Sequence, residues 1–295
     1  MGRKPLLMGF LIFLGIGLFL FFTVYVATWM VEDGSLNKGD RIALVRIEGV
    51  ILDAKDIIEE MIRHEENPSI KAILLRIDSP GGAVVPSQEI YDQVKRIRTE
   101  SKKKVVVSMG TVAASGGYYI ASASDRIVAN PGTLTGSIGV IMEMANMAGL
   151  FEKIGVESVV VKSGAHKDLA SPFRKMGAEE RKILQNVLDD VHNQFIEAVS
   201  EGRGMELDRV RHLADGRVFT GRQARELGLV DELGDLEDTI RLTAEMVGIK
   251  GKPQIVETKK RFSILDLLRN QWLDSLPHSL SPRGRTISLQ YLLAF

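Results

Sequence analysis

The sequence predicts an α/β fold on a parallel sheet, carried behind one apolar helix. Three observations point to this. Short β-branched runs of strand length alternate with helical patterns from residue 42 to about 247. An uncharged run, residues 6–30, precedes them. The 295-residue chain is 45% hydrophobic and 26% charged, which gives ample apolar surface for a core and excludes a disordered chain.

The N-terminal run, LLMGFLIFLGIGLFLFFTVYVATWM, holds 25 residues. As a helix it spans about 37 Å, enough to cross a ~30 Å hydrocarbon core with some tilt. Arg3 and Lys4 precede it, and Glu32 and Asp33 follow. The positive-inside rule then leaves the N-terminus in the cytoplasm and the body of the chain on the periplasmic or extracellular side. A cleaved signal peptide has a shorter apolar core, roughly 7–15 residues, and small residues at its cut. Here bulky Trp29, Met30 and Val31 stand at that point, so an uncleaved anchor in the cell membrane is expected. Tyr25 and Trp29 suit an interfacial aromatic belt. The domain reading is an anchor over 1–31, a polar linker over 32–40, a soluble domain over 41–248 and a tail over 249–295.

Within the soluble part, 42–51 reads as a strand and turn. Residues 56–67 read as a helix with Ile57, Ile58, Met61 and Ile62 on its apolar side. A buried strand at 71–78 leads to a helix over 86–100 opened by Pro86. The strand 103–110 is followed by a small-residue helix start at 113–122. Further strands are expected at 126–129, 136–142 and 158–164. From Ala178 to Gly204 the pattern is helical, with Ile183, Leu184, Val187, Leu188, Val191, Phe195 and Ile196 on one side. Shorter helices are expected over 206–214, 220–227 and 235–247. Residues 250–295 lose this rhythm.

The catalytic inventory is narrow. The chain has no cysteine, which removes disulfides, Cys nucleophiles, thiolate zinc sites and lipoprotein anchoring. Its formal net charge of zero argues against a nucleic-acid partner. The five histidines form no HExxH pair, and no phosphate-binding glycine motif follows a strand. No metal and no cofactor are expected.

Two glycine-rich turns follow buried strands. In Asp78-Ser79-Pro80-Gly81-Gly82, paired glycines let backbone N–H groups face a cleft, as an oxyanion hole requires. Alone, this reads first as a tight strand–helix turn. In Gly110-Thr111-Val112-Ala113-Ala114-Ser115-Gly116-Gly117, Ser115 is sterically bare. It follows the logic of a nucleophile elbow without the GxSxG pattern, or else is a helix N-cap. A serine nucleophile needs a base. Lys167, in Lys162-Ser163-Gly164-Ala165-His166-Lys167-Asp168, is the candidate, beside the bland reading of a solvated loop lysine. A lysine base works only where its surroundings lower its pKa from ~10.4 toward ~7–8.

Taken together, SPGG, ASGGYYIAS, TGSIGVI (135–141), SGAHKD and DGRVFTGRQARELGLVDELG (215–234) resemble the signal peptide peptidase A family, in its short form. The likeness runs from about Ile42 to Leu233. It implies a Clp protease/crotonase-like spiral of ββα units and a membrane-anchored Ser/Lys endopeptidase. Ser115 would be the nucleophile and Lys167 the general base. Ser137 would orient the lysine, and Gly82 with Gly116 would form the oxyanion hole. The resemblance further implies apolar peptide substrates, chiefly signal peptides in the bilayer, and a homo-oligomeric ring whose neighbours complete each site. A stomatin-operon-type protease cutting one hydrophobic partner segment, and a non-proteolytic crotonase-fold protein, are the competing readings. In the tail, 262–276 reads as an amphipathic helix. The apolar end, Thr286–Phe295, reads first as a strand or helix for subunit packing. It also resembles the product half of a cleaved apolar peptide, able to occupy a groove and restrain activity.

Overall fold

The computed structural model describes residues 4–32, 40–258 and 290–293. It divides into two units, Met1–Asp40 and Arg41–Phe295. The first contains helix α1, Lys4–Glu32, 29 residues long. Its side chains are described from Ile12 to Val26, and most of the large apolar ones are exposed. Among the described residues, no helix is long and apolar enough to cross a membrane.

The second unit is a mixed α/β fold on a largely parallel sheet. Strand β1 (Arg41–Glu48) pairs in parallel with β2 (Ile70–Ser79), and β2 with β4 (Lys104–Ala114). These strands are buried on both faces, as interior parallel strands must be. One face, with Ala43, Val45, Ile47, Ile73 and Leu75, packs in the main core with Met61 of α2 (Lys55–Glu66) and Ile90, Val94 and Ile97 of α3 (Val84–Glu100). On the other, Ile42, Leu44 and Leu74 meet Ile240 and Ala244 of α9 (Leu236–Met246).

The long strand β4 has two parallel neighbours in succession. Its first half pairs with β5 (Arg126–Ala129), and its last three residues pair with β6 (Leu134–Gly136). Between these halves, Asp78 Oδ1 accepts the Val112 N–H at 3.0 Å. Strand β7 (Val218–Thr220) adds antiparallel to β6, and β8 (Glu232–Leu233) adds parallel to β5. Strand β9 (Gln254–Glu257) pairs in parallel with β1, so the sheet extends past residue 248 into the stretch that lacks a strand–helix rhythm. A separate antiparallel pair joins β3 (Gly81–Ala83) to β10 (Gln290–Leu292). The remaining helices are α4 (Gly116–Ser122), α5 (Ala148–Lys153), α6 (Ala178–Arg203), α7 (Leu207–Leu213) and α8 (Gly221–Leu227).

Several expectations need correction. The strand at 103–110 continues to Ala114, so the helix after it starts at Gly116 rather than 113. Helix α3 opens at Val84, two residues before Pro86. No strand forms at 158–164, and only Leu134–Gly136 forms around 136–142, with an isolated bridge at Ile141. Both stretches are β-branched, but within this chain little or nothing lies beside them to pair with. The first half of α6 is not a core face either. Ile183, Leu184 and Leu188 are half-buried and Val187 is exposed, whereas Val191, Phe195 and Ile196 are buried. The amphipathic helix expected over 262–276 lies outside the described residues.

Helix α6 packs against the end of α4 through Gly202. A Cβ there would overlap the Ser122 carbonyl oxygen and lie 2.8 Å from its carbon. Alanine in a helix gains about 1 kcal/mol over glycine, but overpacking against rigid backbone costs about 1–3 kcal/mol. Gly202→Ala should therefore lower stability, by up to about 2 kcal/mol net, as a reduced denaturant midpoint would show.

Candidate active site

Ser115 is the single residue between β4 and α4, with φ 53° and ψ −116°. For a side chain with a Cβ, this costs on the order of 1–3 kcal/mol. The turn is held from both sides. The Ser115 N–H donates to the Gly136 carbonyl at 2.8 Å, and the Tyr119 N–H donates to the Ser115 carbonyl at 2.8 Å. A serine at positive φ on a sharp strand-to-helix turn has the conformation of a nucleophile elbow. Its Oγ is buried and, among the described residues, has no hydrogen-bond partner. Leaving a buried hydroxyl unpaired costs about 1–3 kcal/mol. A strained, orphaned serine is poor structure but ready chemistry.

The two glycine turns meet beside it. Gly81 has φ 102°, and a Cβ on it would overlap the Tyr291 carbonyl oxygen and lie 2.7 Å from the Gly116 nitrogen. A Cβ on Gly116 would lie 2.6 Å from Ser87 Oγ and 3.3 Å from the Gly82 nitrogen. Only side-chain-free backbone fits, and it brings two N–H groups to the edge of the serine turn. Ser137, at φ 50°, directly follows the Gly136 that accepts the Ser115 N–H. The fold thus gathers Ser115, Ser137, Gly82 and Gly116. It does not bring Lys167 to them in one chain. Lys167 is exposed, on a series of turns over 164–171, and makes no hydrogen bond to Ser115.

A strand of the chain's own tail fills the adjoining groove. β10 runs antiparallel to β3, with Tyr291 opposite Gly82, and the Leu293 N–H donates to the Pro80 carbonyl at 2.8 Å. Hydrogen-bonded pairs recur every second position in an antiparallel ladder. By that alternation the Tyr291 carbonyl faces the Gly82 N–H. On its other edge, Gln290 exchanges both backbone hydrogen bonds with Ile141, at 3.1 and 3.2 Å. Tyr291 is fully buried against Tyr119 and Phe195, with ring centroids 5.1 and 4.8 Å away, and its hydroxyl donates to the Val191 carbonyl at 3.2 Å. Burial raises the Tyr119 and Tyr291 hydroxyls well above the ordinary tyrosine range, and lifts Tyr91 to about 12, so these rings stay neutral. Sequence reasoning places the tail end in a groove but misses this aromatic box. The Tyr118-Tyr119 pair directly after the glycines is its one visible signal.

Residues 97–250 match peptidase family S49, and residues 39–133 match the Clp protease family. The chain belongs to peptidase family S49. Within it, the chain is 45% identical to a Synechocystis protein named as a candidate protease, over 71% of this chain and 75% of the relative. It is 37% identical to a candidate signal peptide peptidase SppA of Enterococcus faecium, over 71% and 64% of the two chains. It is 35% identical to Protease 4 of Haemophilus influenzae, over 72% of this chain but 35% of that longer one. Family and fold agree with the resemblance read from the motifs: this S49 chain is a serine-type peptidase of the SppA/Protease 4 kind. Among the described residues, no cluster of three His, Asp or Glu side chains could hold a metal.

Proposed function

We propose that the protein is a membrane-anchored Ser/Lys endopeptidase that cuts extended apolar peptides, chiefly residual signal peptides at the membrane, on the ββα spiral of Clp proteases and crotonases. One observation carries this reading. A peptide strand lies along β3 with the Tyr291 carbonyl facing Gly82, near the turn of a buried serine whose hydroxyl has no hydrogen-bond partner among the described residues. A substrate in that place would add as a strand and present its scissile carbonyl to Ser115.

Ser115 Oγ attacks the carbonyl carbon while the neutral Lys167 amine takes its proton. The Gly82 and Gly116 N–H groups receive the developing oxyanion. The ammonium then returns the proton to the leaving amine, and water hydrolyses the acyl-enzyme by the same route. Ser137 holds the amine in line.

Lys167 would come from a neighbouring copy. Its turns adjoin a stretch whose side chains face outward, with Val159 81% and Val161 97% exposed, and the half-buried start of α6 is close in sequence. Apolar surface of this kind is covered in an assembly. A head-to-tail contact, the lysine patch of one copy on the serine groove of the next, would close a ring where the rotation allows. The uncharged run at 6–30 within α1 would anchor the assembly, with the catalytic units on the periplasmic or extracellular side.

The test is digestion of a mixed peptide library by the detergent-solubilised chain, wild type against Ser115→Ala. Cleavage confined to apolar segments and absent from the variant supports the reading. Cleavage of one partner sequence only would favour the stomatin-operon type, and no cleavage the crotonase type.

The seated β10 strand also makes the tail a restraint on its own groove. Deleting residues 282–295 should raise peptidase activity several-fold while the oligomer stays whole, as rate assays and sedimentation would show. Dissociation or lost activity would make the tail structural instead.

A further inference from the structure

The turns that carry Lys167 are held by ion pairs as well as by their own backbone hydrogen bonds. Asp168, its immediate neighbour, accepts Lys162 Nζ on one carboxylate oxygen at 2.5 Å and Arg174 Nε on the other at 2.8 Å. Lys162 Nζ also donates to the Ala165 carbonyl at 2.8 Å, across the same turns. Arg174 Nη2 reaches back to the Asp168 carbonyl at 3.2 Å. The other side of this guanidinium binds Glu180: Nη1 donates to Oε2 at 2.8 Å, and Nη2 to Oε1.

Glu180 is itself fixed. It is buried in the first turn of α6 and accepts the Gly177 N–H at 2.8 Å. One planar fork therefore ties the lysine's neighbour to the start of the helix whose Val191 and Phe195 line the Tyr291 box. Both carboxylates are correspondingly acidic. Arg174, then Lys162, lower Asp168, and Arg174, then the Gly177 N–H, lower Glu180 to about 2, so the fork stays charged at any working pH.

We propose that Arg174 is the positioning residue of the catalytic lysine, holding the Lys167 turns in register with α6 through Asp168 and Glu180. This rests on Lys167 being the base, and it adds a residue that touches neither substrate nor the reacting atoms. A lysine has four rotatable bonds and must bring one amine within hydrogen-bond reach of Ser115 Oγ. On an untethered surface loop that geometry would be rare. A misplacement of about 1 Å costs on the order of 100-fold in rate.

The test uses the full detergent-solubilised oligomer and an unstructured apolar fluorogenic peptide. Arg174→Ala should lower kcat about 30- to 100-fold with KM within twofold. Asp168→Asn, which keeps side-chain size, should lower kcat in the same direction. Arg174→Lys should restore little, because an ammonium lacks the rigid planar fork that pairs with both carboxylates, whereas added methylguanidine should partly rescue Arg174→Ala. The deciding measurement is the Ser115 labelling rate with a fluorophosphonate. In a Lys167→Ala background, Arg174→Ala should slow labelling no further. Additive losses, or kcat within threefold of wild type in both Arg174→Ala and Asp168→Asn, would overturn the assignment of Arg174 alone. A fully active Lys167→Ala variant would overturn the Lys167 reading beneath it.

Discussion

Replacing Ser115 with alanine should abolish peptide hydrolysis, a fall on the order of 10⁴-fold or more for loss of a nucleophile, while stability is kept or raised. The two halves of this expectation have separate causes. The rate falls because the hydroxyl on the strained turn, the proposed nucleophile, is gone. Stability does not fall, because that hydroxyl is buried with no hydrogen-bond partner among the described residues. Removing an unpaired buried donor relieves about 1–3 kcal/mol, which outweighs the weak dispersion attraction of a single oxygen atom. Alanine retains the positive φ, so Ser115→Gly should be more stable still, by relief of backbone strain. Rate assays and thermal midpoints on both variants check this. Appreciable hydrolysis by Ser115→Ala would remove Ser115 as the nucleophile. A large loss of stability would mean that its hydroxyl has a structural role.

The α/β character and the glycine turns are legible in the sequence for a physical reason. Parallel strands buried on both faces read as near-continuous apolar runs rich in Val, Ile and Leu, and the buried stretches of β1, β2 and β4 do. The strained serine is legible because bare neighbours, Ala114 and Gly116, are what such a turn tolerates. Other features depend on contacts that no local pattern encodes. The end of β4 reads as helix because Ala113 and Ala114 favour helix on their own, and the partner strand β6 overrides that preference. The 158–164 segment carries strand-forming residues with no strand beside them. Arg174 is invisible for a related reason. A guanidinium between two carboxylates is six residues from each, and that spacing matches no local motif.

Mixing two inactive variants should restore activity, and this gives the strongest test of how the site is completed. Ser115→Ala and Lys167→Ala chains should each be inactive as pure oligomers. If the dyad forms across a head-to-tail contact, a site works when one chain supplies an intact serine and its neighbour an intact lysine. Random assembly from equal parts meets that condition at about one site in four for a ring of identical interfaces. Co-expressed variants should then recover about a quarter of the wild-type kcat, with KM unchanged. If Ser115 and Lys167 instead meet within one chain, every subunit carries a defect and the mixture stays inactive. The structure favours recovery. The serine groove is assembled within one subunit from β3, β4 and β6, while Lys167 stands exposed on turns that make no hydrogen bond to it. If the Arg174 fork holds the Lys167 turns to α6 as proposed, the lysine would act on the serine of the next subunit rather than on its own. Active Lys167→Ala oligomers would assign the base elsewhere, and an inactive mixture would require the Lys167 turns to fold back onto their own chain.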